Sequence, residues 1–217
     1  MSQTLAVRTC DRATSTTKSL LGYGIIAGPV YVLVSLVQAV TRDGFDLTKH
    51  EWSLLANGGW GWVQIVNLLV CGLMYVAFAA GLRRALGTTA APVLVAVFGL
   101  GMTGAGVFRA DPALGFPPGT PADAHDVSWH GMLHLVCAGI GFLCLVAASF
   151  VLARRFRTEG RRGWAVYSRV TGVVFLLGFA AAASGARTTA TTIAFTVAAV
   201  STLAWVSAVA VQRYRSV

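Results

Sequence analysis

Six long apolar segments, none of which contains a charged residue, set the strongest limit on how this chain of 217 residues folds. Most of them have about the 20 residues that a helix needs to cross the hydrocarbon core of a bilayer. Because no water reaches that depth, the backbone polar groups must bond within each segment, which a helix achieves and an open strand does not. The segments are residues 20–40, 60–82, 90–108, 129–152, 170–186 and 190–211.

The sequence therefore predicts an all-α, polytopic integral membrane protein with six transmembrane helices in one bundle. Composition agrees with this class, since 12% of the residues are charged, against about 25% in soluble domains. We expect three parts along the chain. Residues 20–212 form the membrane domain, the polar residues 1–19 form a disordered cytoplasmic tail, and residues 213–217 form a second short cytoplasmic tail.

The charged residues are distributed unevenly between the two sides of the predicted membrane domain. Thirteen of the 17 lysines and arginines lie in the tails and the even-numbered connections, whereas six of the eight acidic residues lie in the odd-numbered connections. By the positive-inside rule, this pattern places both termini in the cytoplasm and predicts a location in the cell (cytoplasmic) membrane. Topology thereby explains the net charge of +9, and no nucleic-acid partner is expected.

Polar side chains recur at two places in the spans. Gln64 and Asn67 share one face of the second span, and His130 and His134, four residues apart, share one face of the fourth. Amides and imidazoles do not face lipid without cost, so these groups should face the bundle interior, where they reach a similar depth. Two charged residues, Arg109 and Asp111, directly follow the third span at the same rim. The sequence thus predicts an outward-facing polar pocket lined by Gln64, Asn67, Arg109, Asp111, His130 and His134.

Two other interpretations of the histidines are open. The i, i+4 spacing of His130 and His134 allows both rings to bind one metal ion, with Asp126 or His50 completing the shell. Alternatively, His134 forms an ordinary buried hydrogen bond to a polar group of a neighbouring helix. No haem is expected, because two ligands on one helix face do not reach opposite sides of one iron.

Two functional hypotheses follow. In the first, the pocket binds a small polar or lipid-derived ligand, or the protein is an accessory subunit of another membrane protein, with membrane lipids around the spans. The alternative is a membrane-embedded hydrolase that uses a metal or a histidine base at the outer leaflet. The spans contain no Asp, Glu, Lys or Arg, which argues against a proton-coupled pump and an ion channel.

Short motifs recur along the chain, most of them in the odd-numbered connections and the span ends beside them. They are Gly28-Pro29 within the first span, Gly44–Asp46, His50–Leu55, Gly59–Asn67, Gly72-Leu73, Gly81–Arg83, Phe108–Pro112 and His130–His134. With these motifs the chain resembles, over roughly residues 20–210, the bacterial and archaeal membrane family known as domain of unknown function 998. The resemblance implies a six-span topology and carries no established activity.

Overall fold

The computed structural model describes residues 2–124 and 126–217, with side chains from Arg12 onward. This part of the chain contains six α-helices, one short 3-10 helix (Trp52–Ala56) and no β-strand. Each α-helix is long and apolar enough to cross a membrane, which confirms the predicted all-α architecture with six spans. The helices are α1 (Ser2–Thr41), α2 (Gly61–Leu86), α3 (Ala90–Val107), α4 (Trp129–Thr158), α5 (Arg162–Ala183) and α6 (Thr189–Ser216).

Helix α1 is much longer than its apolar segment. It begins at Ser2, so residues 2–19 are helical where the sequence predicts a disordered tail. This stretch contains no glycine or proline to interrupt a helix. The hydroxyl groups of Thr16 and Thr17 donate to backbone carbonyls one turn back, which satisfies these side chains within the helix itself.

The helices at the carboxyl end of the chain also run past their apolar segments. α4 continues to Thr158 and α5 begins at Arg162, which leaves only residues 159–161 between them. α6 continues to Ser216, through most of the second predicted tail. An apolar segment ends where the charged residues begin, but arginine favours a helix almost as strongly as alanine, so the helices continue into the polar sequence.

The six helices form a ring in chain order. Each packs against the next, and α6 closes the ring against α1. The Nζ atom of Lys18 lies 5.7 Å from the ring centre of Tyr214, so both termini lie at one end of the ring, which we call the terminal end. That end also carries the connections 87–89 and 159–161, and the opposite end, the loop end, carries the connections 42–60, 108–128 and 184–188.

Glycines bring α3 into backbone contact with both of its neighbours. A Cβ atom added at Gly72 of α2 would lie 2.6 Å from the carbonyl oxygen of Gly99, and one added at Gly101 would lie 2.5 Å from that of Cys137 on α4. No side chain fits at such distances, so glycine allows the helices to approach closely. The α2–α3–α4 part of the ring is therefore tightly packed.

A partly buried group of ion pairs ties the end of α4 to α6 at the terminal end. The carboxylate of Glu159 accepts hydrogen bonds from Arg155 at 2.7 Å and from Arg213 at 3.0 Å. The guanidinium of Arg213 also lies 4.6 Å from the ring centre of Phe156. Burial raises the pKa of Glu159, but the hydrogen bonds from the two arginines outweigh this effect, so its pKa lies below the ordinary value.

The connections at the loop end pack into a cap over the ring. The guanidinium of Arg42 donates to the carbonyl oxygens of Leu55 and Asn57, each at 2.5 Å, and lies 4.9 Å from the ring centre of Phe116. Arg42 thereby joins the end of α1, the 3-10 helix and the 108–128 connection. A small apolar core, which includes Phe116 and Trp52, lies beneath this contact.

Replacing Gly101 with alanine should lower the free energy of unfolding by about 1–3 kcal/mol, because the new methyl group overlaps backbone atoms of α4. The matched control is Gly22→Ala in α1, where nothing lies within 4 Å of the added Cβ. That control should keep or slightly raise stability, since alanine favours a helix more than glycine does. Reversible unfolding in mixed micelles measures both values. Equal stability of the two variants would contradict the close contact between α3 and α4.

Candidate functional site

A cavity of about 570 Å³ lies inside the ring, with lining residues from all six helices and from the connections at the loop end. Its deeper walls are apolar and rich in aromatic and aliphatic side chains. The ring of Phe142 on α4 packs edge-on against Phe175 and Phe179 of α5 and Phe195 of α6, with ring centres 5.3, 5.4 and 5.7 Å apart. We call these four residues the phenylalanine cluster. It joins three helices around an apolar space.

The lengths of the helices indicate an opening of the cavity between α4 and the hairpin formed by α5 and α6. From the level of the phenylalanine cluster, α4 extends about 20 Å toward the loop end, whereas α5 and α6 extend only about 6 and 9 Å, at about 1.5 Å per residue. On the side of the hairpin, the helices of the ring therefore extend less far toward the loop end than α4 does. Leu135, Ala183 and Arg187 line the cavity and are also exposed, which places the opening beside them.

Most polar side chains of the lining lie at the mouth of the cavity, at the loop end. They are Glu51, Ser53, Asp111, Asp126, His134 and Arg187, and Thr196 of α6, next to Phe195, also lines the cavity. A second, shallower recess of about 530 Å³ adjoins this mouth and shares Asp111 and Asp126 with it. The site as a whole is amphipathic, with an apolar interior and a polar rim.

Asp111 holds the start of α4 in place. Its carboxylate accepts from the backbone N–H of Ser128 at 2.8 Å and from the Ser128 hydroxyl at 2.6 Å. The Ser128 side chain in turn accepts from the backbone N–H of Gly131 as the N-cap of α4. A side chain at Gly131 would overlap the Asp111 carboxylate. The negative charge of Asp111 also lies favourably at the positive end of the helix dipole.

His134 caps the end of α3. Its Nδ1 atom lies 2.9 Å from the carbonyl oxygens of both Ala105 and Phe108. A carbonyl oxygen only accepts, so Nδ1 carries the proton and donates, and the neutral ring then has its lone pair on Nε2. The last carbonyls of a helix have no partner within the helix. The buried imidazole supplies that partner, as the hydrogen-bond interpretation of His134 expects.

Gln64 and Asn67 lie elsewhere, in a buried polar cluster between α1 and α2. Oε1 of Gln64 accepts from Gln38 at 2.8 Å and from Asn67 at 3.3 Å. The amide of Asn67 also donates to the carbonyl oxygen of Tyr31 at 3.2 Å and to the Ser35 hydroxyl at 3.3 Å. Neither Gln64 nor Asn67 lines the cavity.

The six residues predicted to share one pocket therefore fall into three groups. Asp111 and His134 line the cavity, Gln64 and Asn67 belong to the cluster between α1 and α2, and the two others, Arg109 and His130, are exposed outside the cavity lining. The depth of each residue along its helix was inferred from chain position, but the side of the helix that faces each neighbour was not.

The residues predicted to bind a metal are also apart. In residues 12–124 and 126–217, no three His, Cys, Asp or Glu side chains come together in a group able to hold an ion. His50 accepts from the backbone N–H of Asp46 through Nδ1 at 2.9 Å, and its Nε2 lies 3.1 Å from the carbonyl oxygen of Leu114. Hydrogen bonds from the side chain and backbone of Thr48 lower the pKa of Asp46. His50 is thus part of the packing of the loop-end cap.

Sequence reasoning missed the residues that make the cavity apolar. Phe175 and Phe179 lie four residues apart on one face of α5 and contact Phe142 on α4. Their spacing was visible in the sequence. Because apolar side chains also face lipid in a membrane span, spacing alone did not indicate a shared interior space.

Replacing His134 with leucine should lower the free energy of unfolding by about 1–3 kcal/mol, because two carbonyl groups at the end of α3 lose their donor. His130→Leu is the matched control on the same helix, and it should stay within about 0.5 kcal/mol because His130 is exposed. Unfolding by a denaturing detergent measures both variants. If both variants lost the same free energy of unfolding, or if His134→Leu lost none, the hydrogen bonds of His134 to the end of α3 would not stabilise the bundle.

Comparison with known proteins identifies the family of the chain. No curated protein and no solved structure matches it. A family described as "Protein of unknown function (DUF998)" matches residues 25–212, which include most of the six-helix ring and all three cavity-lining connections. The match confirms the family resemblance seen in the loop and span-end motifs. The chain, a multi-pass membrane protein, belongs to the DUF998 family.

Proposed function

We propose that this protein binds an amphipathic, lipid-like molecule, with the apolar chain inside the helix ring and the polar head at the loop end. The observation that carries the proposal is the cavity of about 570 Å³, which has an apolar interior and a polar mouth. This volume lies within the range of about 300–1,000 Å³ that is typical of small-molecule sites. Such a site holds its ligand by burying apolar surface, and a few polar groups set the orientation.

The shape of the opening supports a ligand that comes from the membrane. Because α5 and α6 end well below the start of α4, the cavity is open at the side of the ring as well as at its end. Leu135, which lines the cavity, is 60% exposed. A chain embedded in the adjacent leaflet reaches the cavity through this side without first passing through water.

The hydrolase hypothesis receives less support from the same residues. In the described part of the chain, the hydrogen bonds of the His134 ring go to two backbone carbonyls, which ties this ring to the packing of α3 against α4. The predicted metal ligands His50, His130 and Asp126 belong to separate surroundings, the first in the cap and the others exposed. We therefore favour binding over hydrolysis.

We further propose that the loop end faces the outside of the cell and the terminal end faces the cytoplasm. The arginines around residues 154–169 cluster at the terminal end, whereas Asp111 and Asp126 lie at the loop end. This is the asymmetry that the positive-inside rule associates with a bundle in the cytoplasmic membrane. In that orientation the cavity receives lipid-like molecules from the outer leaflet.

Orientation is tested by single cysteines in a chain whose native cysteines have been replaced. Ala122→Cys at the loop end should react with a membrane-impermeant maleimide on whole cells, and Thr158→Cys at the terminal end should react only after permeabilisation. Both residues are exposed, so access to the reagent decides the result. If only Thr158→Cys were labelled on intact cells, the terminal end would face the outside and the proposed orientation would be wrong.

Ligand binding is tested by filling the cavity. Ala199 lines it from α6, and Ala199→Phe should weaken the binding of tritiated dodecyl glucoside by at least about tenfold, equivalent to about 1.4 kcal/mol. Ala204→Phe, on the exposed side of the same helix, is the control and should bind as the unaltered protein does. Scintillation proximity on purified protein in a short-chain neutral detergent provides the affinity. Equal binding by both variants would place the probe outside the cavity and refute the proposal.

A further inference from the structure

We infer that the polar head of the bound molecule carries a positive charge, so that the ligand is a long-chain amine or quaternary ammonium amphiphile. This inference rests on the proposed binding function and adds the chemical class of the head. It comes from two features of the cavity mouth, which are its balance of charges and its aromatic rings.

Carboxylates outnumber cations at the mouth. Among the described residues, Glu51, Asp111 and Asp126 line it, against the guanidinium of Arg187. Even when Arg187 neutralises one of them, two negative charges are in excess. The adjoining recess repeats this pattern, because its described lining includes Asp111 and Asp126 and no lysine or arginine. A site with this charge attracts a cationic head and repels a phosphate, sulfate or carboxylate head.

Aromatic rings lie beside these carboxylates. Tyr31 and Trp52 both line the cavity, and their ring centres are 6.0 Å apart at an angle of 44°. Trp52 and Glu51, consecutive in the chain, both line the cavity, so its lining includes an aromatic ring as well as carboxylates. An ammonium group binds to aromatic faces through cation–π attraction, and this attraction is strongest for tryptophan. Quaternary ammonium groups, which cannot donate hydrogen bonds, are recognised in this way.

The charges and the aromatic lining together favour an amphiphile whose head carries an ammonium group.

The test compares three tritiated probes that share a dodecyl chain, which are dodecyltrimethylammonium, dodecyl glucoside and dodecanoate. The full-length protein is purified in a short-chain neutral detergent, and each affinity is measured by scintillation proximity at low salt. We expect the cationic probe to bind at least about tenfold more tightly than the anionic one, since two excess charges each contribute up to about fivefold. The neutral probe should lie between them.

Substitutions at the cavity mouth test whether the preference for the cationic probe depends on the carboxylates of Glu51 and Asp126. The double variant Glu51→Gln/Asp126→Asn should weaken binding of the cationic probe by about five- to tenfold and leave the neutral probe unchanged, which also shows that the protein is folded. The control Asp43→Asn/Asp123→Asn removes the same number of charges from exposed positions outside the cavity lining. It should leave all three affinities unchanged.

The outcomes separate the two levels of the proposal. If dodecanoate binds as tightly as dodecyltrimethylammonium, or if the control variant loses as much affinity for the cation as the mouth variant, the inference about the head is wrong and the cavity still binds a chain. If Ala199→Phe leaves the binding of all three probes unchanged, the proposed function itself fails.

Discussion

Close contact between α3 and its two neighbours is the constraint on which the rest of the structure depends. Gly72 and Gly101 allow backbone atoms of adjacent helices to approach to distances that no side chain would permit. These contacts make one side of the ring rigid and narrow. On the other side, α4, α5 and α6 are held by the large rings of the phenylalanine cluster. The cavity lies between the part of the ring that packs through glycines, α2 to α4, and the part that packs through the phenylalanine cluster, α4 to α6.

Polar groups inside the bundle have two distinct uses. The amides of Gln64 and Asn67 join α1 to α2 through bonds to Gln38 and Tyr31, and the imidazole of His134 joins α4 to α3. In an apolar surrounding, such bonds stabilise one arrangement of helices because an unpaired group is costly. The carboxylates of Glu51 and Asp126 at the loop end are different, since they line an open space and leave room for a charged ligand.

The spans could be predicted from the sequence, whereas their mutual arrangement could not. Six uncharged apolar segments predict six helices because a bilayer allows few alternatives. Asn67 and His134 were correctly expected to face other helices, but they face different ones, α1 and α3. The depth of a side chain along its helix follows from its position in the chain. The helix that it contacts depends on how the helices are arranged in the ring. Ser35 and Gln38, three residues apart on α1, were the available signal that Gln64 and Asn67 have partners there.

The central claim, that the helix ring encloses the apolar chain of an amphiphile, is tested most directly by locating that chain. A crystal of the protein grown with dodecyltrimethylammonium brominated at the end of its chain would give an anomalous signal from bromine. The account predicts a bromine peak inside the ring near Phe142 and Phe98, both of which line the cavity. Bromine peaks found only on the lipid-facing surface of the helices would contradict it.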